Sequence, residues 1–474
     1  MSAQAAEAPV RRVKKSTYFF GALGGLLFGY DLGIVAGALL FITPAFHLST
    51  VQTGMVTSSL LVGAAVSAIG CGPVTDRIGR RMVVLISAVL FAVGAIGAAL
   101  SPGFVSVLIF RVVMGIAVGA ASVNVPVYLS EIAPARHRGA LSGLNQLNIS
   151  TGILLAYLVN LGLSHFGAWR WMFGLGALPA VLLFIGGYFQ PESPRWLVKK
   201  GREAEARAVL SQSREPEELE AELAEINAVN EAEKGRKGFR EVFADRRLRS
   251  LLVLGVGLAF LQQVVGINTI IYYAPTILQK IGFGTSAAIA ANAGLGVLTV
   301  LVTASMLFWV VDRVGRRKPL IWGALGMGAS MALLAVLFYS GALAGGALGY
   351  LAIVALAGFK VSFSLSWGGL VWIILGEIYP LRVRGAAMGL ATAANWIGNI
   401  LIAQFFPVML GGVGNGAVFV IFAVISVIAC GFAYLRMPET KGRTLEELER
   451  ELEVTAVPAT VGSAAGGSAA EGTA

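Results

Sequence analysis

The feature that most constrains this chain is an apolar run of about 20 residues, met twelve times between polar or helix-breaking segments. One such run crosses a ~30 Å hydrocarbon core as an α-helix, and twelve have no use in a soluble domain. The runs start near Tyr18, Thr53, Met82, Val105, Leu141, Trp171, Leu251, Ala287, Leu320, Tyr350, Met388 and Val418. Composition agrees: 13% of residues are charged and 56% hydrophobic, where a soluble domain carries about a quarter charged. The expected class is an all-α membrane protein, and the bilayer is its first partner.

The formal charge of +10 raises nucleic acid as a partner, but the distribution of the charge excludes it. If the amino terminus is inside, the loops and termini on the cytoplasmic side hold 32 of the 36 Lys and Arg. The outer loops hold only Arg170 and Lys280, and Arg111 and Lys360 fall within spans. That asymmetry predicts a multi-pass protein of the cell membrane with both termini cytoplasmic. No cleavable signal is expected, since residues 1–15 are polar and the run after them is long enough to stay as a helix. Cys71 and Cys430 are far apart in apolar surroundings, so neither a disulfide scaffold nor a metal site is expected.

Residues 195–250 hold 25 of the 62 charged residues, with Leu219, Leu223 and Ile226 at helical spacing among glutamates. The expected organisation is therefore a tail at 1–15, a six-helix bundle at 16–190 and an amphipathic helical linker at 191–250. A second bundle at 251–437 and a tail at 438–474 complete it, the tail reading as disordered after about residue 453.

The two bundles repeat one another. Asp76-Arg77-Ile78-Gly79-Arg80-Arg81 returns as Asp312-Arg313-Val314-Gly315-Arg316-Arg317. Glu131-Ile132-Ala133-Pro134, with Arg138-Gly139, returns as Glu377-Ile378-Tyr379-Pro380, with Arg384-Gly385, and Pro191-Glu192-Ser193 returns as Pro438-Glu439-Thr440. Three matches in order mean two homologous halves. Such a repeat places a substrate site near the midplane between them, with alternating access by rocking.

Gly72-x-x-x-Asp76-Arg77-x-Gly79-Arg80-Arg81 resembles the signature loop of the major facilitator superfamily. With Pro191-Glu192-Ser193-Pro194-Arg195, Pro438-Glu439-Thr440-Lys441-Gly442 and Gln262-Gln263-x-x-Gly266-x-Asn268, the set resembles the sugar porter family over roughly residues 16–445. The likeness is greatest to bacterial proton-coupled hexose or pentose symporters. It implies the major facilitator fold and a monosaccharide and a proton as partners.

Asp76, Glu131, Asp312 and Glu377 sit at helix ends where Arg77, Arg138, Arg313 and Arg384 are expected to pair with them. The resemblance makes these an inward-face conformational latch, with Arg80, Arg316, Glu192 and Glu439 as further members. The plainer alternative for any one basic residue is an anchor of a helix end.

Within the spans the sequence places one acid, Asp31, and two bases, Arg111 and Lys360. An ionisable group there is costly and reads as functional by default. At 1.5 Å per residue, Asp31 stands about 20 Å above the inner end of the first span, and Arg111 about 9 Å below the outer end of the fourth. In a ~30 Å core these are one level, so the two are expected to pair. The alternative is a purely structural pair. A movement that changes their separation would let Asp31 bind or release a proton. The resemblance agrees, since proton-coupled members carry Asp at the matching position and passive facilitators do not. Lys360 is expected to snorkel to the outer surface. Gly21, Gly25, Gly29, Gly33 and Gly37 recur every four residues in the first span and read as a close-packing ridge.

A sugar offers several hydroxyls and weakly apolar ring faces, so its site combines carboxamides with an aromatic platform. The candidates in the spans are Gln146, Gln262, Gln263, Asn268, Asn395 and Asn399, with Trp372 and Trp396. For any single amide, helix-to-helix glue is the commoner role. The resemblance carries sugar contact onto Gln146, Gln262, Gln263, Asn268, Trp372, Asn395 and Trp396, with Phe28, Tyr272 and Tyr273 as lining or gate. Adjacent Gln262 and Gln263 cannot both face the cavity from a regular helix; one belongs at its wall. In two places the sequence departs from the family pattern. Thr299 and Val300 stand where an Asn is usual, Asn292 being too early, and Gly369 stands where Pro is common.

The reading is a transporter that imports a monosaccharide, glucose first, with a proton, acting as a monomer without a cofactor. A passive facilitator and a non-transporting sugar receptor are the alternatives. An enzyme is not expected, since no nucleophile and base come together.

Overall fold

The computed structural model describes residues 15–132, 138–212, 214–233, 243, 246–310, 314–340, 347–380 and 383–441. These residues form twelve helices or paired helix segments long and apolar enough to cross a membrane. The first half contains α1 (Lys15–Ala45), α2 (Thr50–Ile78), α3 (Arg80–Ala99), α4 (Phe104–Ile132), α5 (Arg138–Ser164) and a sixth span made of α6 (Trp169–Gly174) and α7 (Ala177–Tyr188). The second begins with a seventh span split into α11 (Arg246–Val264) and α12 (Ile267–Lys280). It continues with α13 (Thr285–Ser305), α14 (Arg317–Tyr339), a tenth span split into α15 (Ala347–Ser364) and α16 (Trp367–Ile378), α17 (Arg384–Gly412) and α18 (Asn415–Arg436). Each observed start lies within five residues of the one expected.

Between the halves, α8 (Pro194–Lys199), α9 (Glu203–Leu210) and α10 (Pro216–Glu233) form the linker. Trp196, Leu197, Ala206, Leu210, Leu219 and Leu223 give it a small core of its own. It is docked on the first half: Arg214 Nη1 donates to Ile132 O at 2.6 Å, and Trp196 Nε1 to Asp76 O at 3.1 Å.

The glycine ridge of α1 packs on α5. A Cβ at Gly29 would lie 1.9 Å from Ile149 O, one at Gly33 2.8 Å from Ala156 Cβ, and one at Gly37 2.4 Å from Asn160 Cγ. Only glycine permits that approach, which brings backbones together where lipid supplies no hydrophobic drive. The seventh span breaks at Gly266, whose φ of 100° lies in the left-handed region that suits glycine.

The halves meet at the face opposite the linker. There Tyr273 Oη of the second half, which also donates to Ala403 O of its own half at 2.8 Å, lies 3.0 Å from Thr57 Oγ1 of the first, and Ser58 Oγ donates to Gln404 Oε1 at 2.7 Å. At the linker face, the ion pairs among the described residues lie within one half, within the linker, or between the linker and the first half. Cβ atoms added at Gly376 or Gly389 would meet nothing within 4 Å. This is an arrangement closed opposite the linker.

Candidate functional site

The charged motifs of the two halves adopt the same geometry. In the first half Glu192 Oε1 accepts the backbone N–H of Arg80 and Arg81 at 3.0 and 3.1 Å. In the second, Glu439 accepts those of Arg316 and Arg317 at 2.7 and 3.3 Å. Arg80 lies 3.2 Å from Glu131 and Arg316 3.0 Å from Glu377. Ser193 Oγ donates to Glu131, and Thr440 Oγ1 donates to Glu377 at 2.6 Å.

These partners correct the expected pairing. Arg77 is exposed, whereas Arg80, four residues beyond Asp76, reaches Asp76 Oδ1 at 3.3 Å, and Lys199 reaches Oδ2 at 3.0 Å. An arginine next to the acid on a helix points about 100° away from it; one four residues on shares its face. Arg384 Nε donates to Tyr379 O at 3.1 Å instead of pairing with Glu377. Asp312, Arg313 and the side chain of Arg138 lie outside the described residues, as does the tail after 453.

In the middle of the first half, Arg111 Nη1 lies 2.8 Å from Asp31 Oδ1, with the side chains 2% and 0% exposed. Arg111 Nε donates to Val56 O at 3.2 Å, and its guanidinium lies 5.7 Å from the centroid of the Phe173 ring. Asp31 Oδ2 has no hydrogen-bond partner among the described residues. A buried pair with one oxygen unsatisfied is less than fully compensated.

The carboxamides gather where the seventh and tenth spans break. Gln262 is buried; its Nε2 donates to Trp367 O at 2.7 Å and Gly368 O at 3.3 Å, while Oε1 accepts from Asn395 at 2.8 Å. Asn395 also donates to Ala259 O at 3.0 Å. Gln263 is half-buried and accepts from Asn268. Of the adjacent pair, Gln262 is thus the buried one, and Gln263 is half-buried with its Nε2 3.4 Å from Gln262 Oε1. Gln262 also supports the tenth-span break at residues 365–366, which persists although Gly369 replaces the usual Pro. Gln146 on α5 is half-buried in the opposite half, and Trp372 is 36% exposed. Phe28 of α1 and Trp396 of α17 approach at 6.3 Å between ring centroids. Tyr272 is buried on α12 next to Tyr273, one of the residues that join the halves.

A family model described as "Sugar (and other) transporter" matches residues 17–452. The chain belongs to the sugar porter family of the major facilitator superfamily. It is 43% identical to a D-xylose transporter of Levilactobacillus brevis, covering 92% of this chain and 95% of the relative. It is 42% identical to the glucose transporter GlcP of Staphylococcus epidermidis, covering 92% and 96%, and 39% identical to the galactose-proton symporter of Escherichia coli, covering 92% and 93%. The inward-open structure of the xylose transporter XylE from E. coli superposes with a TM-score of 0.79 at 32% identity, covering 92% of this chain and 99% of that one. A structure of XylE as a proton:xylose symporter bound to 6-bromo-6-deoxy-D-glucose gives 0.75 at 31%, covering 92% and 98%.

This sugar porter is a multi-pass membrane transporter and not an enzyme. The expected snorkelling of Lys360 does not occur: the residue is 1% exposed and turned into the protein. Its four carbons cannot reach the surface from the inner part of α15, enclosed by neighbouring spans. Residues that the sequence reading passed over include Thr57, Ser58 and Gln404, which join the halves. Gln404 carried the signal used for the other amides, a carboxamide in an apolar helix.

Proposed function

We propose that this sugar porter imports a monosaccharide together with a proton across the cell membrane, with glucose as the first candidate and both termini cytoplasmic. The buried Asp31–Arg111 pair carries the reading, because it is a protonatable group at mid-depth whose compensation depends on where its partner stands. The lysine and arginine asymmetry supports the orientation, which makes the linker face cytoplasmic. The relatives that move xylose, glucose or galactose support a hexose or pentose.

In the proposed cycle Asp31 takes a proton from outside and its hold on Arg111 weakens. Gln146, Gln263, Asn268 and Trp372 engage the sugar, with Asn395, Trp396 and Gln262 supporting them. Phe28, Tyr272 and Tyr273 close over the outer side, and sugar and proton leave inward. The motif carboxylates Asp76, Glu131, Glu192, Glu377 and Glu439, with Arg80 and Arg316, keep each half rigid as it rocks. The bundles at 16–190 and 251–437 are the moving bodies of a functional monomer in the bilayer.

Uptake of a panel of labelled monosaccharides into proteoliposomes, with and without an imposed pH gradient, tests this. Accumulation of one sugar above its outer concentration only with the gradient is expected. Equilibration without accumulation would leave a passive facilitator, and binding without uptake a receptor.

A further inference from the structure

Lys360 is the second base placed within the spans, and the proposed cycle makes no use of it. Its Nζ has no hydrogen-bond partner among the described residues, and Asp31, the acid within the spans, is already bonded to Arg111. What Nζ faces is the ring of Tyr157, 5.2 Å from its centroid. Lys360 belongs to the second half and Tyr157 to the first, so the contact crosses between them.

Tyr157 makes two further contacts across the same boundary. Its hydroxyl donates to Ile271 O at 3.0 Å, and a Cβ at Gly296 would lie 2.9 Å from its Cδ2. One side chain of α5 thus touches α12, α13 and α15. Ile271 is about one helical turn beyond Asn268, on the way to the face where the halves are joined.

The charge balance of the contact decides what it does. An aromatic face attracts an ammonium, but that attraction is smaller than the hydration lost by an ammonium buried with no counter-charge and no acceptor. No neighbouring ionisable group alters this. The titratable group in contact from α5 is Tyr157; α13 carries none, α14 has Arg317, Lys318 and Tyr339 at its ends, α16 has Glu377 at its far end, bonded to Arg316, and α15 itself carries Tyr350 near its start. On α12, Tyr273 turns its hydroxyl to α2, Tyr272 lies within electrostatic reach of Asp31, and Lys280 stands at the far end.

We propose that Lys360 governs closure of the outer side through its charge: when protonated it favours the halves apart over Tyr157, and when neutral it lets them meet. The device rests on the alternating-access reading above, but on neither the identity of the sugar nor coupling at Asp31. Acid outside would then hold the outer side open, where Lys360 meets water.

The test uses the full chain in right-side-out vesicles with Cys71→Ala, Cys430→Ala and Thr57→Cys, the last placing a thiol within the outer closure, where Thr57 is buried. Asp31→Asn is added to remove that group's own response to pH. Labelling by a membrane-impermeant maleimide is compared at each pH with and without Lys360→Met, which cancels the thiol's own titration. The Lys360 chain is expected to label about tenfold faster than Lys360→Met at pH 6, the ratio falling toward one by pH 9. Lys360→Arg, charged throughout, should keep the higher rate at both. Lys360→Gln serves as a second neutral variant, read on monodisperse protein. Equal rates for the Lys360 and neutral chains at pH 6, or a ratio indifferent to pH, would overturn the proposal. The sugar panel reads transport separately, so failure there leaves this result legible.

Discussion

Glu439 Oε1 lies 2.7 Å from the backbone nitrogen of Arg316, and Glu192 Oε1 lies 3.0 Å from that of Arg80 in the other half. Each carboxylate caps the start of a helix more than a hundred residues away from it in the chain, where unsatisfied N–H groups and the helix dipole favour an anion. The proline-glutamate motif that follows each six-span set therefore staples the last span to the third of its set, once per half. This is the internal repeat expressed as geometry.

That cap makes a stability prediction with a pH sign. Burial acts to raise the Glu439 carboxyl, but backbone N–H groups of Arg316, Lys441, Arg317 and Thr440 outweigh it and hold the group below the usual carboxylate range. A group lowered in the folded state stabilises above its unfolded value, near pH 4.3, and loses that contribution as pH falls through the lowered one. Glu439→Gln should cost about 1 kcal/mol at pH 7, since the half-buried carboxylate is partly screened. Thermal unfolding in detergent should show the deficit shrinking from pH 5 to pH 3. An equal deficit at both ends would count against the capping account.

The α1–α5 contact predicts intolerance to one methyl group. Gly29→Ala drives a Cβ into the Ile149 carbonyl, a backbone atom that cannot swing aside, and should cost ~1–3 kcal/mol or more. Gly70→Ala is the control: nothing lies within 4 Å of its added Cβ, so the change should be neutral or stabilising by up to ~1 kcal/mol. Melting temperatures of the two variants side by side decide it, and parallel losses would show that the ridge is not special.

The neighbouring glutamines should separate into two behaviours. Gln263→Ala removes a half-buried amide whose partners, Asn268 and Gln262, keep other contacts or lie near the same break, and should weaken sugar binding about tenfold with a smaller change in melting temperature than Gln262→Ala. Gln262→Ala frees the Trp367 and Gly368 carbonyls and the Asn395 amide, and should destabilise by ~1–3 kcal/mol as well as weaken binding. Titration calorimetry on purified protein, read beside thermal unfolding, separates affinity from stability.

What could be read without coordinates was what depends on depth and period. Twelve spans follow from run length, and the level shared by Asp31 and Arg111 follows from counting residues from helix ends. Rotation about the helix axis was harder to foresee. Arg80 takes the place expected for Arg77 because four residues restore a face and one does not. Gln262 and Gln263 could be told apart only when the tenth-span break supplied carbonyls for one of them. Lys360 departs from the expected snorkelling because that expectation assumes a lipid-facing side chain, and which side of α15 meets lipid is set by packing against neighbouring spans. Hinges inside spans, at Gly266 and at residues 365–366, left no gap in the hydropathy.

The sharpest consequence of the Asp31–Arg111 pair is a split between two transport assays. Asp31→Asn keeps the shape and one acceptor oxygen near Arg111 but cannot gain or lose a proton. Accumulation against a gradient should vanish, while counterflow of labelled against unlabelled sugar stays within a few-fold of the parent. Arg111→Gln is different, since it strands a carboxylate that is 0% exposed and also releases the Val56 carbonyl. It should cost about 3–5 kcal/mol. Adding Asp31→Asn to Arg111→Gln should recover part of that loss, because the stranded charge is then gone. Continued uphill accumulation by Asp31→Asn would mean that the coupling proton rides elsewhere, and the pair would then be a strut between α1 and α4.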